Sequence, residues 1–188
     1  MDRAIFQWIN GGPPWLAPSM HFFSTGMNAK PMKFLLAGII IAMLAAGPRT
    51  RRAAIFALIA FPIANGVTDL FKAFLPTLRP FNDPNVITLL RIGTSESAGT
   101  ASAHAANMAS VATVFTGKLK WFGVPWVLLA FLVGYSRIYN GVHFPYQVAL
   151  GWAVGILVGL LVLFVGGRIE RAWIARKESR SEPAQSPA

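Results

Sequence analysis

The sequence predicts an all-α polytopic membrane helix bundle of about five transmembrane helices, preceded by N-terminal interfacial helices. Three observations carry that expectation. Of 188 residues, 54% are hydrophobic and only 13% are charged, and the mean hydropathy is +0.51, more than a soluble domain of this size needs for one core. The apolar residues gather in long runs, five of which approach the ~20 residues that a hydrocarbon core demands. Lys and Arg outnumber Asp and Glu by 17 to 7, and they sit at the ends of those runs, where they act as a topology signal.

Residues 1–30 come first. Residues 4–10 and 15–23 read as two short helices parted by Gly11, Gly12, Pro13 and Pro14. With Trp8, Trp15, Phe22 and Phe23 they suit the headgroup region better than a full crossing, although a sixth crossing is the alternative. His21, among these aromatics, reads as interfacial packing. The apolar part is too short for a cleavable signal peptide.

The membrane-embedded domain is expected over 31–167, with spans at 31–47, 53–75, 101–117, 121–139 and 144–167. Residues 168–188 are expected to form a basic, disordered cytoplasmic tail ending in ESRSEPAQSPA. Arg49, Arg51 and Arg52 separate the first two spans, Lys118 and Lys120 the third and fourth, and Arg168, Arg171, Arg176, Lys177 and Arg180 follow the last. If the spans alternate, all three clusters share one side, which the positive-inside rule makes cytoplasmic. Loop 76–100 and link 140–143 then face outward from the inner (plasma) membrane.

Composition also excludes chemistry. The chain has no cysteine, so disulfides, zinc–thiolate sites and thiol nucleophiles are ruled out. The basic residues line no single face and accompany no nucleic-acid-binding motif, so no nucleic-acid partner is expected.

The chemistry gathers in three blocks, all at the outward face. Lys72 to Pro80 (KAFLPTLRP) closes the second span; Ala101-Ser102-Ala103-His104 opens the third; Ser136 to Gln147 (SRIYNGVHFPYQ) bridges the fourth and fifth. Lys72, Arg79 and Arg137 are three cations from different spans, and Arg can hold phosphate oxygens bidentately. Ser102 and the amides after it begin a helix, whose free N–H groups form an anion site. Of His104 and His143, either can attack and the other move a proton. Carboxylates are too scarce for a metal cluster, so no metal or other cofactor is expected. Asp69, one turn before Lys72, is expected to pair with it. Glu96 in the outward loop is expected to be solvated, the alternative being that it supplies a carboxylate near His143.

The pattern Lys-x6-Arg-Pro, Ser-x-His, Ser-Arg-x5-His resembles the three signature blocks of the type 2 phosphatidic acid phosphatase (lipid phosphate phosphatase) superfamily. It covers the chain from about the first span to the last, and the short chain resembles the family's small bacterial undecaprenyl-diphosphate phosphatase-like members. The resemblance implies that His143 is the nucleophile, forming a phosphohistidine. It implies that His104 protonates the leaving oxygen and later activates water. Lys72, Arg79, Ser102, Arg137 and the amide of Ala103 would bind the phosphoryl oxygens of a membrane lipid phosphate. Two departures stand out. The usual Pro-Ser-Gly-His is Ala-Ser-Ala-His here, and the Asp expected four residues after the nucleophile is Gln147. The Gln147 carbonyl can accept the ring N–H at helical spacing but brings no charge. A phosphotransferase of the same superfamily and a silent lipid-phosphate binder are the competing readings.

Overall fold

The computed structural model describes residues 1–26, 29–94 and 96–181. These residues form helices joined by turns and loops: α1 (Asp2–Asn10), α2 (Ala17–Ser24), α3 (Lys30–Ala45), α4 (Pro48–Phe74), α5 (Ala103–Leu119), α6 (Val124–Tyr139) and α7 (Pro145–Ser181). The all-α expectation holds. Prolines mark the starts: α2, α3, α4 and α6 each carry one in the first two positions, where the missing N–H would have had no partner anyway. Between α3 and α4 only Ala46 and Gly47 intervene, and Gly47 adopts φ +151°, a conformation that spares the chain a longer loop.

Among the described residues, three stretches are long and apolar enough to cross a membrane: Pro48–Phe74, Ala103–Tyr139 and Pro145–Lys177. The middle one is not a single rod. It breaks after Leu119, where Lys120 takes φ +56° and a 3₁₀ turn follows, and α5 and α6 fold back into contact. Helix α3 has 16 residues, about 24 Å of rise against a core of about 30 Å.

Helix α5 is the hub, touching α4, α6 and α7. Small residues allow the close approach. On α4, Ala53, Ala57, Ala60 and Ala64 are buried. On α7, a methyl added to Gly151, Gly155 or Gly159 would collide with Ser102 O, Ala106 O or the Thr113 side chain of α5. This is the small-residue spacing by which membrane helices bring backbones together without a hydrophobic driving force. Gly134 of α6 makes room for the Trp152 indole, whose Nε1 donates to Ala130 O at 3.1 Å.

One expectation needs correction. The tail was expected to be disordered from residue 168, but α7 runs through Ser181; the helix-forming sequence there extends the last span rather than ending it. Residues 182–188 lie outside the described residues. In the N-terminal segment, α1 packs on α6 and α7, and α2 packs on α6. Phe6 is fully buried with its ring 5.2 Å from that of Phe144. The Asn10 amide donates to Leu89 O and Tyr139 O, both at 2.9 Å.

Candidate active site

The two ends of the bundle are built from different segments. At one end the start of α4, the α5–α6 turn and the far part of α7 meet, where Glu170 pairs with Arg52 and Lys118. At the other end the close of α4, the start of α5, the close of α6 and the start of α7 come together. All three sequence blocks fall at this second end.

His143 lies on the link before α7 and is 3% exposed. Gly141, at φ +81°, supplies the left-handed turn that lets the link reverse direction. The next turn of α7 carries Gln147, which is fully buried. Gln147 Oε1 accepts from the Phe144 N–H at 3.0 Å and lies 3.1 Å from His143 Nδ1. Its Nε2 donates to the Leu78 carbonyl at 2.8 Å, with Thr77 Oγ1 and Tyr146 Oη each at 3.1 Å. A backbone N–H can only donate and a carbonyl can only accept, so these two contacts fix which way the amide points. His143 Nδ1 must then carry the hydrogen. The lone pair is left on Nε2, which faces Arg79 Nη1 at 3.3 Å. Burial, then the charges of Arg79 and Arg137, hold the imidazole well below its usual pKa of 6.5, against the opposing hydrogen bond from Gln147. The ring is therefore neutral at physiological pH, with its free lone pair among cations.

Arg79 is buried and held on every edge. Its Nε donates to Ser97 O at 2.7 Å, Nη2 to Ser97 Oγ at 2.9 Å and Ala98 O at 3.4 Å, and Nη1 to Val142 O at 3.1 Å. Arg137, in the last turn of α6, is also buried, and its Nη1 donates to Ser24 Oγ at 2.6 Å and Ser24 O at 3.2 Å. Its Nε is buried with no partner. Ser102, just before α5, is fully buried and its Oγ too has no partner. Ala103 opens α5, so its N–H is a free first-turn donor. His104 follows, half-buried, within electrostatic reach of Arg137, Lys72 and Arg79. Lys72 Nζ donates to Asp69 Oδ1 at 2.8 Å, the intrahelical pair expected from spacing.

The other candidates separate cleanly. Glu96 is exposed, and the partner of the His143 ring is Gln147 instead. His21 faces Thr25 Oγ1 at 3.3 Å on the exposed side of α2. Sequence reasoning missed the residues that support the site: Thr77 and Tyr146, inside the blocks, on Gln147, and, from outside them, Ser24 on Arg137 and Asp2, whose Oδ1 accepts the Tyr146 N–H at 2.9 Å.

Buried polar groups normally find partners. Here Ser102 Oγ and Arg137 Nε are both orphaned, beside free helix amides and a neutral imidazole lone pair. An anion with several acceptor oxygens, such as a phosphoryl group, would satisfy that set.

Comparison with known proteins agrees. The PAP2 superfamily pattern matches residues 51–170. The bacitracin transport permease protein BcrC of Bacillus licheniformis is 31% identical over 155 residues, 82% of this chain and 73% of that protein. An undecaprenyl-diphosphatase of Sulfolobus acidocaldarius is 34% identical over 123 residues, 65% of this chain and 59% of its own length. Among solved structures, Aquifex aeolicus LpxE superposes with TM-score 0.70 and 25% identity over 86% of this chain and 94% of that one. A PAP2-type phosphatidylglycerolphosphate phosphatase from Bacillus subtilis gives 0.65 and 26% over 89% and 85%. The chain therefore belongs to the PAP2 superfamily of membrane phosphatases, hydrolases that act on lipid phosphates.

Proposed function

We propose that the protein hydrolyses a phosphomonoester or pyrophosphate of a membrane lipid through a phosphohistidine on His143, without a metal, at the outward face of the inner membrane. Polyprenyl diphosphate is the first substrate to test, given the undecaprenyl-diphosphatase among its relatives. The observation that supports this most is the His143 network: a fixed Nδ1–H on Gln147 leaves the Nε2 lone pair free beside Arg79.

The Nε2 lone pair attacks phosphorus in line, and the bond from phosphorus to the lipid oxygen breaks. That oxygen keeps the electron pair and takes a proton from His104. Water, deprotonated by His104, then attacks phosphorus; the N–P bond breaks, its electrons return to Nε2, and inorganic phosphate leaves. Lys72, Arg79, Arg137, Ser102 Oγ and the Ala103 N–H supply donors for the charge that builds on the phosphoryl oxygens. Arg79 and Arg137 have no carboxylate partner among the described residues, which favours a reaction in which protein charges stabilise the phosphoryl group.

The arrangement in the membrane follows the same reading. Helices α3 to α7 make five crossings over 31–167, residues 1–30 lie at the outer interface, and the basic end of α7 enters the cytoplasm. Cysteine at Asn82 should react with an impermeant thiol reagent in outer-membrane-permeabilised cells, and cysteine at Ala175 should not. The reverse pattern would refute the outward site.

The enzymatic test is phosphate release by the purified protein across a panel of lipid phosphates with no acceptor lipid present. Turnover should persist in EDTA, stop with vanadate, and vanish in His143→Ala. A strict magnesium requirement overturns the metal-independent reading. Turnover that needs an acceptor lipid makes the protein a phosphotransferase. Binding without turnover on any lipid makes it a silent binder, the reading that the neutral Gln147 favours.

A further inference from the structure

Arg79 and Arg137 differ in which edge of the guanidinium is engaged. In arginine, Nε–H and the Nη2 hydrogen beside it form one flat fork, while Nη1 lies on the side of Cδ. Arg79 has spent that fork on Ser97. Arg137 is gripped through Nη1 only, and its Nε is buried without a partner. The fork that matches two phosphate oxygens is therefore the one left free.

The grip comes from an unexpected place. Ser24 is the last residue of α2, outside the 51–170 segment that matches the family. Both of its oxygens accept from Nη1, and the residue is 1% exposed. Its carbonyl is among the last of the helix, where the backbone dipoles carry partial negative charge toward a cation. One turn earlier, Met20 O accepts the Asn140 amide at 2.9 Å. The same N-terminal segment thus holds both ends of the turn that follows Arg137.

The geometry points to Ser24 as a positioning residue: α2 aims the free Nε/Nη2 fork of Arg137 at the phosphoryl group, so the N-terminal segment sets phosphate affinity without touching substrate. This rests on the reading of Arg137 as a phosphate ligand. A guanidinium released from Ser24 keeps its charge but samples several rotamers, and the bidentate alignment is lost.

The experiment uses full-length protein in detergent and reads vanadate inhibition, together with kcat and KM for a lipid phosphate. Ser24→Ala should weaken vanadate inhibition and raise KM by roughly tenfold, the scale of one hydrogen bond to a charged group. Ser24→Thr, which keeps the hydroxyl, should restore most of it. Thermal unfolding of each variant separates aim from folding: the shift in vanadate affinity must appear in protein that melts as the wild type does. Arg137→Ala is the control for the underlying reading. If Arg137→Ala loses vanadate inhibition and folded Ser24→Ala keeps wild-type values, the Ser24 role is overturned and the site reading stands. If Arg137→Ala itself inhibits and turns over as wild type does, Arg137 is no phosphate ligand and both fall. Should Ser24→Ala melt early, Ser24→Thr decides: wild-type melting with weakened vanadate inhibition refutes the hydroxyl's part.

Discussion

The two ends of the bundle hold their cations in different ways. At the end where α5 turns into α6, Arg52 and Lys118 share the carboxylate of Glu170. At the other end, Asp69 and Asp83 are taken by Lys72 and Arg3, which leaves Arg79 and Arg137 without a carboxylate partner among the described residues. Paired charges tie helices together and ask for nothing more. Cations left without a carboxylate, beside orphaned Ser102 Oγ and Arg137 Nε, ask for an anion. Charge alone does not mark a site; unneutralised charge at fixed geometry does.

Substitutions can break that contrast, beginning with Arg79. Arg79→Ala removes a charge and takes a donor from the buried Val142 carbonyl. We expect a loss of at least about 100-fold in kcat/KM together with about 1–3 kcal/mol of stability for that buried acceptor. Melting curves alongside kinetics check both; an active, fully stable variant would make Arg79 dispensable.

Arg137→Lys should cost less and spare the fold. It retains a positive charge but cannot offer two parallel donors, so kcat/KM should fall about 10- to 100-fold with an unchanged melting temperature. Equal activity would mean that charge, not the fork, is what this position supplies.

Gln147 tests orientation against charge. Gln147→Leu removes the acceptor for His143 Nδ1–H and should slow turnover by at least tenfold; a carboxylate-to-amide change in a serine protease triad costs about 10⁴, mostly through the wrong tautomer. Gln147→Asp adds charge and gives up the bond to Leu78 O, and should raise turnover several-fold. Gln147→Glu would set a carboxylate oxygen against the Leu78 carbonyl and should lower the melting temperature. If Leu is as fast as wild type, Gln147 does not orient His143.

Two smaller effects sharpen the picture. The His143 pKa is lowered, so the neutral, nucleophilic ring should persist as pH falls through 6.5, and the ring should protonate only well below it. Imidazole NMR of labelled protein at pH 6 should show His143 neutral. Glu170→Gln at the paired end should change kcat/KM less than twofold and lower stability by about 1 kcal/mol.

Much of this was legible in the sequence. Long apolar runs placed the ends of helices α3 to α6 to within about five residues. The three blocks named Lys72, Arg79, Ser102, His104, Arg137, His143 and Gln147 before any geometry was known, because helices that alternate direction must bring those ends together. The N-terminal clamp was not legible, since Asp2, Asn10 and Ser24 are short polar residues whose partners lie more than 100 positions away in most cases. One signal was available: Asn10 follows Phe6 and Ile9 on the buried face of α1, and a polar residue in register with an apolar stripe has a partner to find. The extent of α7 was missed because basic residues after an apolar run read as an ending, whereas Arg, Lys, Glu and Ala are also good helix formers.

Helix α7 carries a mechanical consequence. It is one continuous rod of 37 residues, with Gln147 near one end and Glu170 pinned between Arg52 and Lys118 toward the other. From Gln147 to Glu170 the rise is about 35 Å, so a tilt of about 3° about the pinned end displaces the His143 link by roughly 2 Å. That is more than in-line attack tolerates, where a misplacement of about 1 Å can cost 100-fold. Membrane helices change tilt to match hydrocarbon thickness. A tilt of α7 relative to α5 would therefore change the reactant geometry, and in that case the rate should pass through an optimum as the acyl chains of the host vesicle are lengthened.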